Sequence, residues 1–85
     1  MKYQIVWSAS AERELRKLEH PVSKRIYGAV RRLESEPFHY LRKVVNSPFY
    51  RFRVGAYRIV VQVVTDQLLI LVLGVGHREK AYRKK

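Results

Sequence analysis

Three arginines fall within eight residues, Arg51-Phe52-Arg53-Val54-Gly55-Ala56-Tyr57-Arg58. Guanidinium groups are planar, stay charged at physiological pH and take phosphate oxygens two at a time. Several of them on one phosphate would stabilise the negative charge that builds up in phosphoryl transfer. Removing one such preorganised donor typically costs about 10²–10³ in rate. In RNA the nucleophile is already present as the neighbouring 2′-OH, so the reaction requires neither a metal nor a nucleophilic side chain. Phe49, Tyr50 and Tyr57 lie close by in the chain and Tyr82 follows further on. Such aromatics can stack on bases or donate a phenol hydrogen bond.

Whether the arginines converge depends on the local fold. Tyr50, Phe52 and Val54 alternate with Arg51 and Arg53, and Gly55-Ala56, glycine first, suits a two-residue type II′ hairpin turn. That turn fixes the register: Val54 opposite Tyr57, Arg53 opposite Arg58, Phe52 opposite Ile59 and Arg51 opposite Val60. Arg51, Arg53 and Arg58 then project from one face, and Phe52, Val54, Tyr57 and Ile59 from the other. Like charges directly across a ladder cost stability, so a sheet under no functional demand would carry Glu or Thr at one of them. A solvated arginine face that discourages strand-to-strand aggregation is the bland alternative. Lysine is more usual for that task, and no acid in this stretch pairs with the three.

Tyr57 to Thr65 is rich in β-branched residues, Asp66-Gln67 reads as a second turn, and Leu68 to Val75 is an almost continuous apolar strand. Continuing the register sets Arg58 opposite Val75 and places His77 on the arginine face. Gly74 and Gly76 flank that point and mark a bulge or bend, which would aim Arg78 there instead. Both alternatives stay open.

The preceding residues supply the frame. Tyr3, Ile5 and Trp7 alternate with Lys2, Gln4 and Val6 and predict a first strand, with Trp7 in the core. Ser8 or Ser10 offers an N-cap for a helix carrying Ala11, Leu15 and Leu18 on one stripe. His20-Pro21 interrupts it, and Pro21 suits the first position of a second helix bearing Val22, Ile26, Ala29 or Val30, and Leu33. This helix stops at Glu36-Pro37. Residues 37–49 carry the weakest pattern, with Leu41 to Val45 as a short edge strand. The expected fold is α+β: an N-terminal strand, a two-helix hairpin and an antiparallel sheet of three to four strands, in one domain over residues 1–85.

Composition narrows the function. The chain has 18 Lys+Arg against 7 Asp+Glu, a net charge of +11, with 47% hydrophobic residues. A folded body so charged attracts polyanions. Residues 1–41 carry a net +3 and residues 42–85 a net +8, so the second half holds the field. There is no cysteine, which excludes disulfides, zinc ribbons and thiol catalysis. Three scattered histidines argue against a metal site, and His20 and His39, next to breaks, read as surface residues. No cofactor is expected. The longest apolar run, nine residues from Leu68 to Gly76, is far short of the roughly 20 a membrane helix needs. The N-terminus lacks a signal-peptide pattern, so a cytoplasmic location is expected.

The segment Tyr50-Arg51-Phe52-Arg53-Val54-Gly55-Ala56-Tyr57-Arg58-Ile59-Val60, followed by Val75-Gly76-His77-Arg78-Glu79 and Tyr82, resembles the RelE toxins of the RelE/ParE toxin–antitoxin superfamily. The resemblance extends over the whole chain and implies a RelE-like, microbial-RNase-like fold. It implies a metal-independent endoribonuclease, an mRNA interferase acting in the ribosomal A site, in which the 2′-OH attacks the adjacent phosphate to leave a 2′,3′-cyclic phosphate. Carried over residue by residue, it casts Arg51 and Arg53 as orienting the phosphate and Arg58 as stabilising the transition state. It casts Arg78 as the acid for the leaving oxygen and Tyr82 as a substrate contact. Tyr50, Tyr57, His77 and Lys80 are further substrate-binding candidates. Family members often carry lysine where this chain has Arg51 and Arg53. Arginine does not give up its proton, so the acceptor for the 2′-OH proton is sought among His77, Tyr57, Tyr82 and solvent.

The partners implied are an acidic RelB-like antitoxin, whose amphipathic segment would wrap the toxin and cover part of the arginine face, and the ribosome with its mRNA. No membrane is implied. Two other functions suit the same fold: a ParE-like inhibitor that binds DNA gyrase without catalysis, and a plain RNA-binding module.

Overall fold

The computed structural model describes residues 2–77; Arg78, Lys80 and Tyr82 lie outside the described residues. The elements in chain order are β1 (Gln4–Trp7), α1 (Ala9–Arg16), α2 (His20–Arg31), a 3₁₀ turn (Arg32–Glu34), α3 (Pro37–Tyr40) and β2 (Arg42–Lys43). They continue with β3 (Tyr50–Val54), β4 (Tyr57–Val64), a second 3₁₀ turn (Thr65–Gln67) and β5 (Leu69–His77).

Ser8 starts the helical hairpin. Its Oγ accepts from the Ala11 N–H at 3.0 Å, capping α1, and donates to the Leu73 carbonyl at 3.3 Å. Its own N–H reaches the Val72 carbonyl at 2.9 Å. One residue thus ends β1, begins α1 and fastens both to β5. Pro21 occupies the first turn of α2, where its missing N–H has no intrahelical partner to lose.

The strands form one five-stranded sheet in the order β1-β5-β4-β3-β2. The expected antiparallel sheet of three to four strands is corrected in one respect. β1 joins it by parallel pairing with β5, Ile5 opposite Ile70 and Trp7 opposite Val72, so the sheet is mixed. β5 is thereby an interior strand, which accounts for its apolar run. The pairing joins residues more than sixty positions apart, and periodicity within either strand carries no trace of it. In the weakly patterned stretch, β2 is only two residues long, and α3 is a single turn that the sequence reading did not include.

The core lies on one side of this sheet. Phe52, Ile59, Val61, Ile70, Val72 and Val75 point from the strands against Ala11, Ile26, Val30 and Leu33 of the helical layer, and all are buried. Trp7 packs against this core and stacks on Tyr27 at 6.1 Å, while His20 and His39 are exposed as expected. Every buried strand residue lies on the helix side. The opposite face carries no buried side chain among the described residues, and it is the face that holds the arginines.

Candidate nucleic-acid interface

The β3–β4 hairpin has the register its turn dictates. Arg53 pairs with Arg58, Arg51 with Val60, Phe52 with Ile59 and Val54 with Tyr57. Gly55 supplies the positive φ, +61°, that the first turn position of a type II′ turn requires. Phe52 and Ile59 are driven into the core, so alternation leaves Arg51, Arg53 and Arg58 on the open face. The burial is graded: Arg53 is exposed, whereas Arg51 and Arg58 are half-buried.

A fourth arginine joins them. Arg42 of β2 lies directly opposite Arg51, so the open face carries the row Arg42, Arg51, Val60, and beside it the pair Arg53 and Arg58. The sequence reading missed Arg42 because β2 falls in the weakly patterned stretch. The only signal available was that an edge strand over Leu41 to Val45 would align some basic residue with β3. No acid lies on this face among the described residues. The ion pairs between described residues, Arg16–Glu12 at 3.3 Å and Arg31–Glu34 at 3.9 Å, lie in the helical layer and do not involve Arg42, Arg51 or Arg53.

The β4–β5 pairing departs from the simple register. Val60 pairs with Gly74 but Val61 with Val72, so Leu73 is an extra residue, a β-bulge. The shift sets Arg58 opposite Gly76, not Val75, and sets His77 opposite Tyr57. His77 therefore lies on the helix side, where its ring meets that of Tyr57 edge-on at 5.3 Å. This corrects the alternative that put His77 on the arginine face; Arg78, the other alternative, lies outside the described residues. Tyr50 is also on the helix side, against Phe38 at 5.5 Å and with Lys43 Nζ 5.9 Å from its ring centre. It does not join the arginines, because it shares a face with Phe52.

Beyond the end of β1 the edge of β5 is free, and α1 lies along it. Glu14 Oε1 accepts from the Val75 N–H at 3.2 Å. A cleft of about 530 Å³ opens here, with Glu14 and Lys17 on one wall and Tyr57, Arg58, Gly76 and His77 among its other lining residues. A Cβ built on Gly74 or Gly76 would meet nothing within 4 Å. These glycines are not demanded by packing. They leave a floor without side chains beside Arg58. The cleft thus brings Tyr57 and His77 near Arg58 from around the edge, while Arg42, Arg51 and Arg53 approach across the open face. Among the described residues no group of three or more His, Cys, Asp or Glu is placed to hold a metal, and no helix is long and apolar enough to cross a membrane.

The fold is shared with solved toxin–antitoxin structures. It matches a chain of the RelBE2 toxin–antitoxin complex of Mycobacterium tuberculosis with a TM-score of 0.82 at 22% identity, over 92% of this chain and 100% of that one. It matches a chain of the intact Escherichia coli RelBE complex with a TM-score of 0.75 at 24% identity, over 88% and 95%. A RelE-like toxin protein of Escherichia coli is 27% identical over 84 residues, covering 95% of this chain and 88% of the relative. Residues 5–82 match the family of ParE toxins of the type II toxin–antitoxin system parDE, and the chain belongs to that family. The RelE/ParE resemblance carried by the basic hairpin is thereby borne out.

Proposed function

We propose that the protein is the toxin of a toxin–antitoxin pair and cleaves mRNA in the ribosomal A site. The observation that carries this reading is the cross-strand pair Arg53 and Arg58 with Arg51 and Arg42 on the same open face. Like charges so placed cost stability, and a bound phosphate reverses the sign of that cost.

In the proposed reaction the 2′-oxygen of one nucleotide attacks the adjacent phosphorus while the bond to the 5′-oxygen of the next nucleotide breaks. The products are a 2′,3′-cyclic phosphate and a 5′-hydroxyl. Arg51 and Arg53 orient the phosphate. Arg58, half-buried beside the Gly76 floor, stabilises the charge on the transferring phosphoryl group. Water is partly displaced there, so its charge is screened less than that of an exposed arginine. His77 and Tyr57 of the cleft are the candidates among the described residues for receiving the 2′-OH proton. Arg78 stabilises the charge on the leaving oxygen while solvent supplies its proton, and Tyr82 and Lys80 as substrate contacts complete the assignment. An acidic antitoxin is the proposed partner, since the similar structures include complexes of RelE with RelB.

A second reading is a toxin that inhibits DNA gyrase by binding alone; the match to the ParE family favours it. Primer extension on programmed ribosomes separates the two. Cleavage within the A-site codon supports the nuclease, whereas intact message together with inhibited supercoiling by gyrase supports the other.

A further inference from the structure

A second group of arginines surrounds a notch on the helix side of the hairpin. β2 pairs with β3 only at Tyr50 and Arg51, which leaves the edge of β3 free from Phe52 to Val54. Arg25, on α2, and Arg32, in the 3₁₀ turn that follows it, are two turns apart and share a stripe with Ala29, whose small side chain leaves room between them. With Arg53 and Tyr40 they line a notch of about 190 Å³ against that free edge. Arg25 reaches the hairpin turn, its Nη1 lying 3.8 Å from where a Cβ on Gly55 would stand.

The chemistry of this notch is that of an oxyanion site. It is lined by three guanidinium groups and a phenol and by no acid. Neither of the ion pairs among the described residues involves Arg25, Arg32 or Arg53. The two-residue turn makes Val54–Tyr57 the hydrogen-bonded pair of the ladder, so the Arg53 N–H is directed away from β4 toward the free edge and adds a main-chain donor. The donors arrive from four elements, α2, the 3₁₀ turn after it, α3 and β3. A phosphodiester presents two non-bridging oxygens, each able to accept from more than one donor, and so can be shared by guanidinium groups on separate elements.

Arg53 connects the notch to the open face, because it lines the former and pairs with Arg58 on the latter. We propose that Arg25, Arg32, Arg53 and Tyr40 form a second phosphate subsite, which holds the backbone of an RNA strand at a position other than the scissile one. The strand passes around the edge of β3 with one phosphate on the arginine face and another in the notch. The proposal rests on the open face being a polynucleotide surface; it does not require cleavage.

The test measures binding of a short single-stranded 2′-deoxyoligonucleotide, which lacks the attacking hydroxyl, by fluorescence anisotropy over a range of salt concentrations. The double variant Arg25→Gln/Arg32→Gln changes two exposed residues and leaves the core intact. It is expected to bind about tenfold more weakly and to flatten the slope of log K against log salt by about 0.7, the value for one lost phosphate contact on a single strand. Lys24→Gln, which removes one charge from the neighbouring groove on the other side of α2, is expected to leave the slope near that of the wild type. In a parallel NMR titration, inorganic phosphate is expected to shift the Nε–H signals of Arg25, Arg32 and Arg53.

A double variant with the wild-type slope overturns the subsite. So does a titration in which acetate shifts those signals more than phosphate, which would point to an acidic protein segment as the occupant. Arg51→Gln/Arg58→Gln distinguishes the two levels. If it weakens strand binding while the notch variant does not, only the subsite falls. If neither weakens it, the polynucleotide reading of the face falls as well.

Discussion

At Arg53 the proposed function sets stability and activity in opposition. It stands across the ladder from Arg58, and like charges so placed destabilise a sheet by about 0.2–1 kcal/mol. Arg53→Thr relieves the repulsion and places a good strand former in the strand. The expected result is a small rise in the thermal midpoint, a few degrees for a domain of this size, together with a loss of at least tenfold in cleavage. Differential scanning calorimetry and a ribosome-based cleavage assay check the two halves. A fall in stability would show that the pair is held by something other than function. Gly76 makes the complementary case. A Cβ there meets nothing within 4 Å, so Gly76→Val is expected to fold at least as stably as the wild type. Its side chain would occupy the floor beside Arg58, and cleavage is expected to fall while the thermal midpoint holds.

At the scale of elements, the hairpin and the helices are built from local rules, and local rules are what a sequence displays. Gly55-Ala56 admits one turn geometry, the turn fixes one register, and the register puts Arg51, Arg53 and Arg58 on one face; each step uses neighbours in the chain. Three features were not fixed by such local rules. The parallel pairing of β1 with β5 is made across nearly the whole chain. The bulge at Leu73 lies where Ser8 and Glu14 of the helical layer bond to Leu73 and Val75; the glycines hinted at it but did not fix which of His77 and Arg78 it would turn. Arg42 reaches the site through a two-residue strand with no periodicity to read. Ser8 is where several elements are tied together, since it caps α1 and bonds to β5. Ser8→Ala is expected to cost about 1 kcal/mol, the usual cost of losing an N-cap, with a lowered urea midpoint and an unchanged m-value.

For the whole molecule, the +11 charge and the one-sided core are parts of a single arrangement. A sheet with helices on one side leaves its other face open, and in the proposed function the excess charge supplies both a phosphate site and a field that steers the protein toward RNA. Binding to ribosomes is expected to weaken steeply as salt rises, with a linear dependence of log K on log salt. Sedimentation of the protein with ribosomes across a salt series measures this, and a flat response would contradict a surface built on phosphate contacts. An acidic antitoxin would compete for the same field, so its binding is expected to share that salt dependence.

The central claim is that the arginine face acts on the phosphate in the transition state, and Arg58 is the residue placed to do so. The most direct test is the single-turnover rate of mRNA cleavage on programmed ribosomes, compared between the wild type and Arg58→Ala at saturating toxin. A drop of about 10²–10³ in the rate, with ribosome binding largely retained, is the predicted result. Equal rates for the two proteins, or a message left intact by the wild type, would contradict it.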